Sequence, residues 1–239
     1  MLSTSTTSTS TTAPTVAPTT DFPQPTDYLL AQLRWPAQAQ AAGPSSHTLI
    51  GQAGAAAQAA RHSGLDIAFE RSAWSGEAQC AYVYYALAQR TLLAASDLQP
   101  LQTALQQALG DTGAAVAVSR LETVFERAGH SSGQPCAAHY VVEMDPQEGW
   151  MPEIARWYDT EHMPGLAAVP GCARAQRMLN HDHGPLSLAC YDLVTPAALN
   201  SPPWLAVRAT AWSDIARPHF TNTRRTMFAL QYRAADLAR

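Results

Sequence analysis

Lysine is absent from this chain: all 15 basic residues are arginines. Schiff-base chemistry and a lysine general base are therefore excluded. No basic block occurs and the formal net charge is -4, so neither nucleic acid nor an anionic membrane surface is an expected partner. No apolar run is long enough to span a bilayer. The four cysteines, Cys80, Cys136, Cys172 and Cys190, form no C-x-x-C pair, which argues against a zinc or dithiol site and for reduced, partly buried thiols. A G-x-G-x-x-G fingerprint, a P-loop, a G-x-S-x-G elbow and an H-E-x-x-H pair are also missing.

What remains is an ordinary globular composition, 46% hydrophobic over 239 residues, enough for one large domain or two small ones. The stretch from Met1 to about Thr20 is Ser/Thr/Ala/Pro with no basic n-region and no apolar h-region. It reads as a disordered tail, taken as residues 1–26, on a protein expected to be cytoplasmic.

Behind it the order strand, helix, strand, strand, helix, strand occurs twice. In the first half strands are predicted over Tyr28–Trp35, Asp66–Trp74, Gln79–Leu87 and Ala115–Phe125, with helices over Thr48–His62 and Asp97–Leu109, the latter capped at Asp97. A polar linker follows, Gly129 to Gln134. The second half repeats the order: strands over Ala138–Met144, Ala173–Leu179, Leu186–Val194 and Arg225–Tyr232, helices over Pro152–Met163 and Pro203–Ala216. Two tandem βαββαβ units, residues 27–128 and 137–239, are two ferredoxin-like halves of an α+β protein. Each has one bare sheet face, so the halves are expected to join within the chain as an α+β barrel around a pocket. Association into a homodimer is allowed but not needed to bury the sheets.

The helix over Pro152–Met163 is the most informative segment. Ile154, Trp157, Tyr158 and Glu161 fall on one face at 3.6 residues per turn, while Glu153, Arg156, Asp159 and Thr160 form a polar face. Pro164 is expected to end the helix. A glutamate on an apolar stripe needs partners or loses its charge, and Arg174, Arg177 and Arg225 are the candidate cations. His162, next to it, can exchange a proton near neutral pH. On the first strand of this half, His139, Val141 and Glu143 share a face expected to point into the barrel, with Tyr140, Val142 and Met144 toward the helices. Tyr28, Leu30, Gln32 and Arg34 face inward by the same argument. His181-Asp182-His183 has two imidazoles on alternate residues, but Gly184-Pro185 makes it a loop tip, and no metal site is expected.

Trp157-Tyr158-x-x-Glu161-His162-x-Pro164, then Val169-Pro170-Gly171 with Arg174 and Arg177, Ser201-Pro202-x-Trp204-Leu205, and His219, Asn222 and Arg225 resemble the EthD-like branch of the dimeric α+β barrel superfamily. The likeness covers roughly residues 138–235. It implies two ferredoxin-like units joined in a barrel, here within one chain. The first half, whose helix ends Ala60-Arg61-His62-Ser63-Gly64, lacks the motif, so one family-type pocket is expected. The functions implied are diverse. The expectation drawn here is an enzyme of lyase, dehydratase or isomerase type, without organic cofactor, acting on a small apolar or aromatic metabolite. His162 and Glu161 are the expected acid–base pair, and Trp157, Tyr158, His139, Glu143, Arg34 and Arg225 the substrate contacts. Two alternatives stand beside it: a haem protein with His162, His139 or His219 as axial ligand, and a non-catalytic small-molecule-binding accessory protein.

Overall fold

A computed structural model describes residues 21–36 and 44–236. The expected tail up to Thr20 lies outside the described residues. Eight antiparallel strands, β1 (Gln24–Arg34), β2 (Ile67–Ser75), β3 (Cys80–Leu93), β4 (Ala115–Ala128), β5 (Ala138–Pro146), β6 (Cys172–Asn180), β7 (Ser187–Leu193) and β8 (Phe220–Arg233), close into a barrel in the order β1-β3-β2-β8-β5-β7-β6-β4. Within each half the order is that of a ferredoxin-like unit. The halves join edge to edge, β2 on β8 and β4 on β6, and every strand therefore has two partners.

The strand over residues 24–34 begins earlier than the sequence suggests. Gln24, Pro25 and Thr26, assigned above to the tail, pair with Leu93, Leu92 and Thr91, because β3 runs six residues past its expected end and offers them a ladder. The helix α1 (Ser46–His62) packs its alanines Ala53, Ala56, Ala57 and Ala60 closely against α2 (Gln99–Leu109) and the outer face of the first-half sheet. Asp97 does not cap α2 itself; it lies in a 3₁₀ turn, where its carboxylate accepts from the Ala94 amide at 2.8 Å. The expected linker is docked rather than loose: the amides of Gly129, His130 and Ser131 donate to Ala173, Ala167 and Cys172 carbonyls. A Cβ at Gly129 would collide with the Cys172 carbonyl, so only glycine fits there.

On the second half, α3 (Met151–Trp157), a π turn (Tyr158–His162) and α4 (Met163–Ala167) form one continuous helical run. It does not stop at Pro164. The i→i+5 bond from the Met163 amide to the Tyr158 carbonyl puts Pro164 in the opening turn of α4, where a missing N–H costs nothing. The single helix expected over Pro203–Ala216 is two, α5 (Pro202–Arg208) and α6 (Ala211–Ala216). The break falls at Thr210, whose hydroxyl accepts from the Ser213 amide and caps α6.

Three apolar layers result: one under α1 and α2, one between the second-half sheet and α3–α6, and one inside the barrel. The interior, expected to enclose a pocket, is filled by Leu30, Tyr82, Tyr84, Val141, Met178, Leu188 and Phe228. Buried charge lies on the other side of the first-half sheet, where Arg120 stands opposite Leu29. Arg120 and Asp182 are paired at 2.7 Å, with both side chains fully buried. Asp182 of the His-Asp-His loop is thus a structural anchor, and no cluster of metal-ligating groups occurs among the described residues.

Candidate functional site

The π turn decides which residue of the motif faces the sheet. One extra residue in the turn rotates Glu161 off the apolar stripe and brings His162 onto it. His162 is buried, stacked on the Trp157 ring at 4.1 Å and edge-on to Tyr158 at 5.7 Å. Glu161 is half-buried and accepts from Thr210 Oγ1 at 2.6 Å, tying the π turn to the start of α6. It pairs with none of the expected arginines. Asp159, placed above on the polar face, takes that part: it holds Arg177 through both carboxylate oxygens at 2.9 and 3.0 Å. Arg174 is engaged elsewhere, by Glu70 and Glu126.

A narrow cavity lies between the helical run and the outer face of β5 and β7, with a volume of about 30 Å³. Trp157, Tyr158 and His162 line it from the helix, Tyr140, Val142 and Tyr191 from the sheet, and Arg208, Arg217 and Arg225 from α5, the α6 exit and β8. Register explains the last of these: Arg225 pairs across the ladder with Val142 and so shares the helix-facing side. Val142 and Tyr140 point this way, as the alternation predicted. Among the described residues none of the three arginines forms an ion pair; the one polar contact among them is Arg217 to the Arg208 carbonyl at 3.4 Å. Asp214 is the acid whose field reaches Arg217, whereas Arg208 and Arg225 repel it, and Arg217 has a lowered pKa, chiefly through burial. Three buried polar atoms of lining residues have no hydrogen-bond partner: His162 Nδ1, Trp157 Nε1 and Trp204 Nε1. Burial first, then the charges of Arg217 and Arg208, pushes the His162 imidazole down to about 3, so it is neutral at pH 7.

The other predicted residues belong to a different place. His139 and Glu143 do face the barrel interior, on the opposite side of β5 from the cavity. His139 Nδ1 donates to Asp192 at 2.8 Å, and its Nε2 accepts from Tyr84 at 2.9 Å. Asp192 also binds Arg71 at 2.7 Å. Burial and Arg71 lower the His139 pKa, while Arg71 and His139 outweigh burial and keep Asp192 ionised. Glu143 is buried with Gln32 and Tyr82, and burial raises its pKa. Arg34 lies exposed at the barrel's end. The eight expected site residues therefore do not share one pocket: Trp157, Tyr158, His162 and Arg225 line the cavity, His139 and Glu143 sit in a packed core, and Glu161 and Arg34 belong to neither.

Sequence reasoning missed Arg208 and Arg217. A signal was there: the stretch 201–233 carries Arg208, Arg217, Arg224, Arg225 and Arg233 against the single acid Asp214. A wider hollow of about 340 Å³ opens beside Arg174 and Arg233, but both are already neutralised, Arg174 by Glu70 and Arg233 by Asp236.

A haem would need an imidazole with a free nitrogen and a slot beside it. His139 uses both nitrogens. His219 has Nδ1 on Gln147, its ring lies flat against Trp150, and it is not among the residues lining the cavity. His162 offers Nδ1, yet the adjoining space is about 30 Å³, where ligand pockets are roughly 300–1,000 Å³. Tyr140, Tyr191 and Trp204 fill the sheet face with ring centroids 5.2 to 6.3 Å apart. These residues do not fit a tetrapyrrole.

No protein-family model matches this chain, and no curated protein matches it by sequence. Solved structures match its fold. A monooxygenase candidate from Lactobacillus acidophilus NCFM aligns with TM-score 0.54 and 8% identity over 88% of this chain and 97% of that one. An anthrone oxidase-like protein gives 0.51 and 11%, over 86% and 91%. A mutant chlorite dismutase from Candidatus Nitrospira defluvii in complex with cyanide gives 0.50 and 10%, over 91% and 93%. At such identities the likeness establishes the ferredoxin-like α+β fold. It does not single out the EthD-like branch.

Proposed function

We propose that the chain is a cofactor-independent enzyme of lyase, dehydratase or isomerase type whose small aromatic substrate enters the cavity beside His162. The observation that carries this reading is a buried, neutral imidazole with an unpartnered Nδ1, set among aromatic rings in a cavity that also gathers unneutralised cations. A hydrogen-bonding atom withdrawn from water without a partner costs roughly 1–3 kcal/mol, and a bound substrate can supply the missing bond. His162 Nδ1 would take a proton from the substrate and return it at another atom or to the leaving group. Trp157 holds the ring in place by stacking, and Tyr158, its phenol kept protonated by burial, keeps an O–H to donate. Glu161 acts on position alone, fixing the π turn to α6 through Thr210.

Space is the condition on this reading. With about 30 Å³ free, a substrate must displace side chains. Arg208 and Arg217, which no carboxylate holds, can shift at the rim without breaking an ion pair. The test is turnover. Once a converted metabolite is found by mass-spectrometric screening of small aromatic compounds, His162→Gln should lower kcat by about 100-fold or more. Undiminished kcat in that variant would refute the assignment, and saturable binding without conversion across the panel would favour an accessory binding protein.

A further inference from the structure

Three guanidinium groups converging on one cavity without a carboxylate is an unusual arrangement, since like charges repel. Arg208 and Arg217 are half-buried and Arg225 is exposed, yet no acid pairs with them, whereas Arg71, Arg120, Arg174, Arg177 and Arg233 are each paired with an acid. Arg208, Arg217 and Arg225 come from three separate segments and still meet at the same rim. The surrounding walls are aromatic, and the orphaned Trp157 Nε1 and Trp204 Nε1 are donors that accept nothing. Donors and positive charge therefore dominate a flat, π-rich slot.

We infer that the ligand is a small planar aromatic anion, a carboxylate or its equivalent in charge, whose negative group is held by Arg208, Arg217 and Arg225. This rests on the cavity being the ligand site, and it narrows the substrate class. Guanidinium forks suit a planar carboxylate, and two or three charge-assisted bonds in a half-buried site give strong preference over a neutral isostere.

A consequence follows for His162. The groups facing it are Tyr158 from its own turn, Tyr140 and Tyr191 from the sheet, and Arg208, Arg217 and Arg225 from the other wall. An anion neutralising the arginines removes the charge that opposes a proton on the imidazole. The substrate thus removes the electrostatic part of what makes His162 a weak base, while burial, the larger cause, keeps the imidazole neutral until it takes the substrate's own proton.

The experiment is calorimetric titration of the full-length chain with benzoate and with benzamide near pH 7. Benzoate is expected to bind about tenfold or more tightly than benzamide, with the advantage shrinking as salt is raised. Arg225→Gln, at an exposed position, and Arg217→Gln should each lose most of that preference while binding benzamide as before. Equal affinity for benzamide and benzoate would overturn the anion assignment while leaving the cavity as a ligand site. No saturable binding of either probe would overturn both. Unchanged benzoate affinity in the two arginine variants would also refute it.

Discussion

A neutral, buried His162 makes stability depend on pH in a calculable way. In the unfolded chain a histidine titrates near 6.5. In the folded chain burial, with Arg217 and Arg208, holds His162 at about 3. The unfolded state therefore binds the proton more readily. The contribution is intact above the unfolded value, is lost as pH falls through 6.5, and goes on falling until about pH 3. Integrating the linkage relation from about pH 8 to about pH 5 gives a loss of about 2 kcal/mol from this one side chain. His162→Gln removes the titration while keeping a polar, neutral group of similar size. Urea unfolding of both proteins at steps between about pH 8 and about pH 5, followed by far-ultraviolet circular dichroism, isolates the term. The variant should be the less stable protein at pH 8, because the stack on Trp157 is lost, and its deficit should shrink by about 2 kcal/mol by pH 5. His139, whose pKa is also lowered, and Glu143, whose raised pKa acts with the opposite sign, are present in both proteins and cancel in the difference. A deficit that stays constant with pH would refute the argument.

Three further substitutions probe the frame around the site. Asp182→Ala leaves the Arg120 guanidinium buried without its 2.7 Å partner and should cost about 3–5 kcal/mol in chemical denaturation; a loss below about 1 kcal/mol would mean that water reaches the site. Glu161→Gln weakens the bond from Thr210 and should cost only about 0.5–1.5 kcal/mol, leaving benzoate affinity within about twofold. A tenfold loss of affinity would instead put Glu161 on the ligand. Gly165→Ala would place a Cβ 2.8 Å from Val207 Cγ1, where α4 meets α5, and should destabilise by about 1–3 kcal/mol; adding Val207→Ala should restore most of it, and a purely additive double variant would contradict the clash.

The order of the eight strands and the inward face of β5 were legible because a period of two survives in His139, Val141 and Glu143 against Tyr140, Val142 and Met144. The motif helix was legible as an element but not in its phase. An i→i+5 bond leaves no mark in a hydrophobic pattern, so Glu161 was given the buried position that His162 occupies and Asp159 was left on the wrong face. The strand ends extend further than the pattern predicts, since the ladder between Gln24–Thr26 and Thr91–Leu93 buries the polar Thr26 and exposes the apolar Leu92, which masks the alternation. Arg208 and Arg217 could not be placed because their meeting with Arg225 depends on the break between α5 and α6, set by the hydroxyl of Thr210.

The covalent joining of the two halves changes what mutation can do to them. In a barrel made from two identical chains every substitution appears twice, and a residue that improves a pocket on one side is imposed on the other. Here each position occurs once. The first half packs alanines under α1, while its strands close the barrel against β6 and β8. The second half is then free to keep a poorly neutralised, partly unsatisfied cavity, a local weakness that its rigid neighbour can carry. The first half serves as scaffold, and the second carries the cavity.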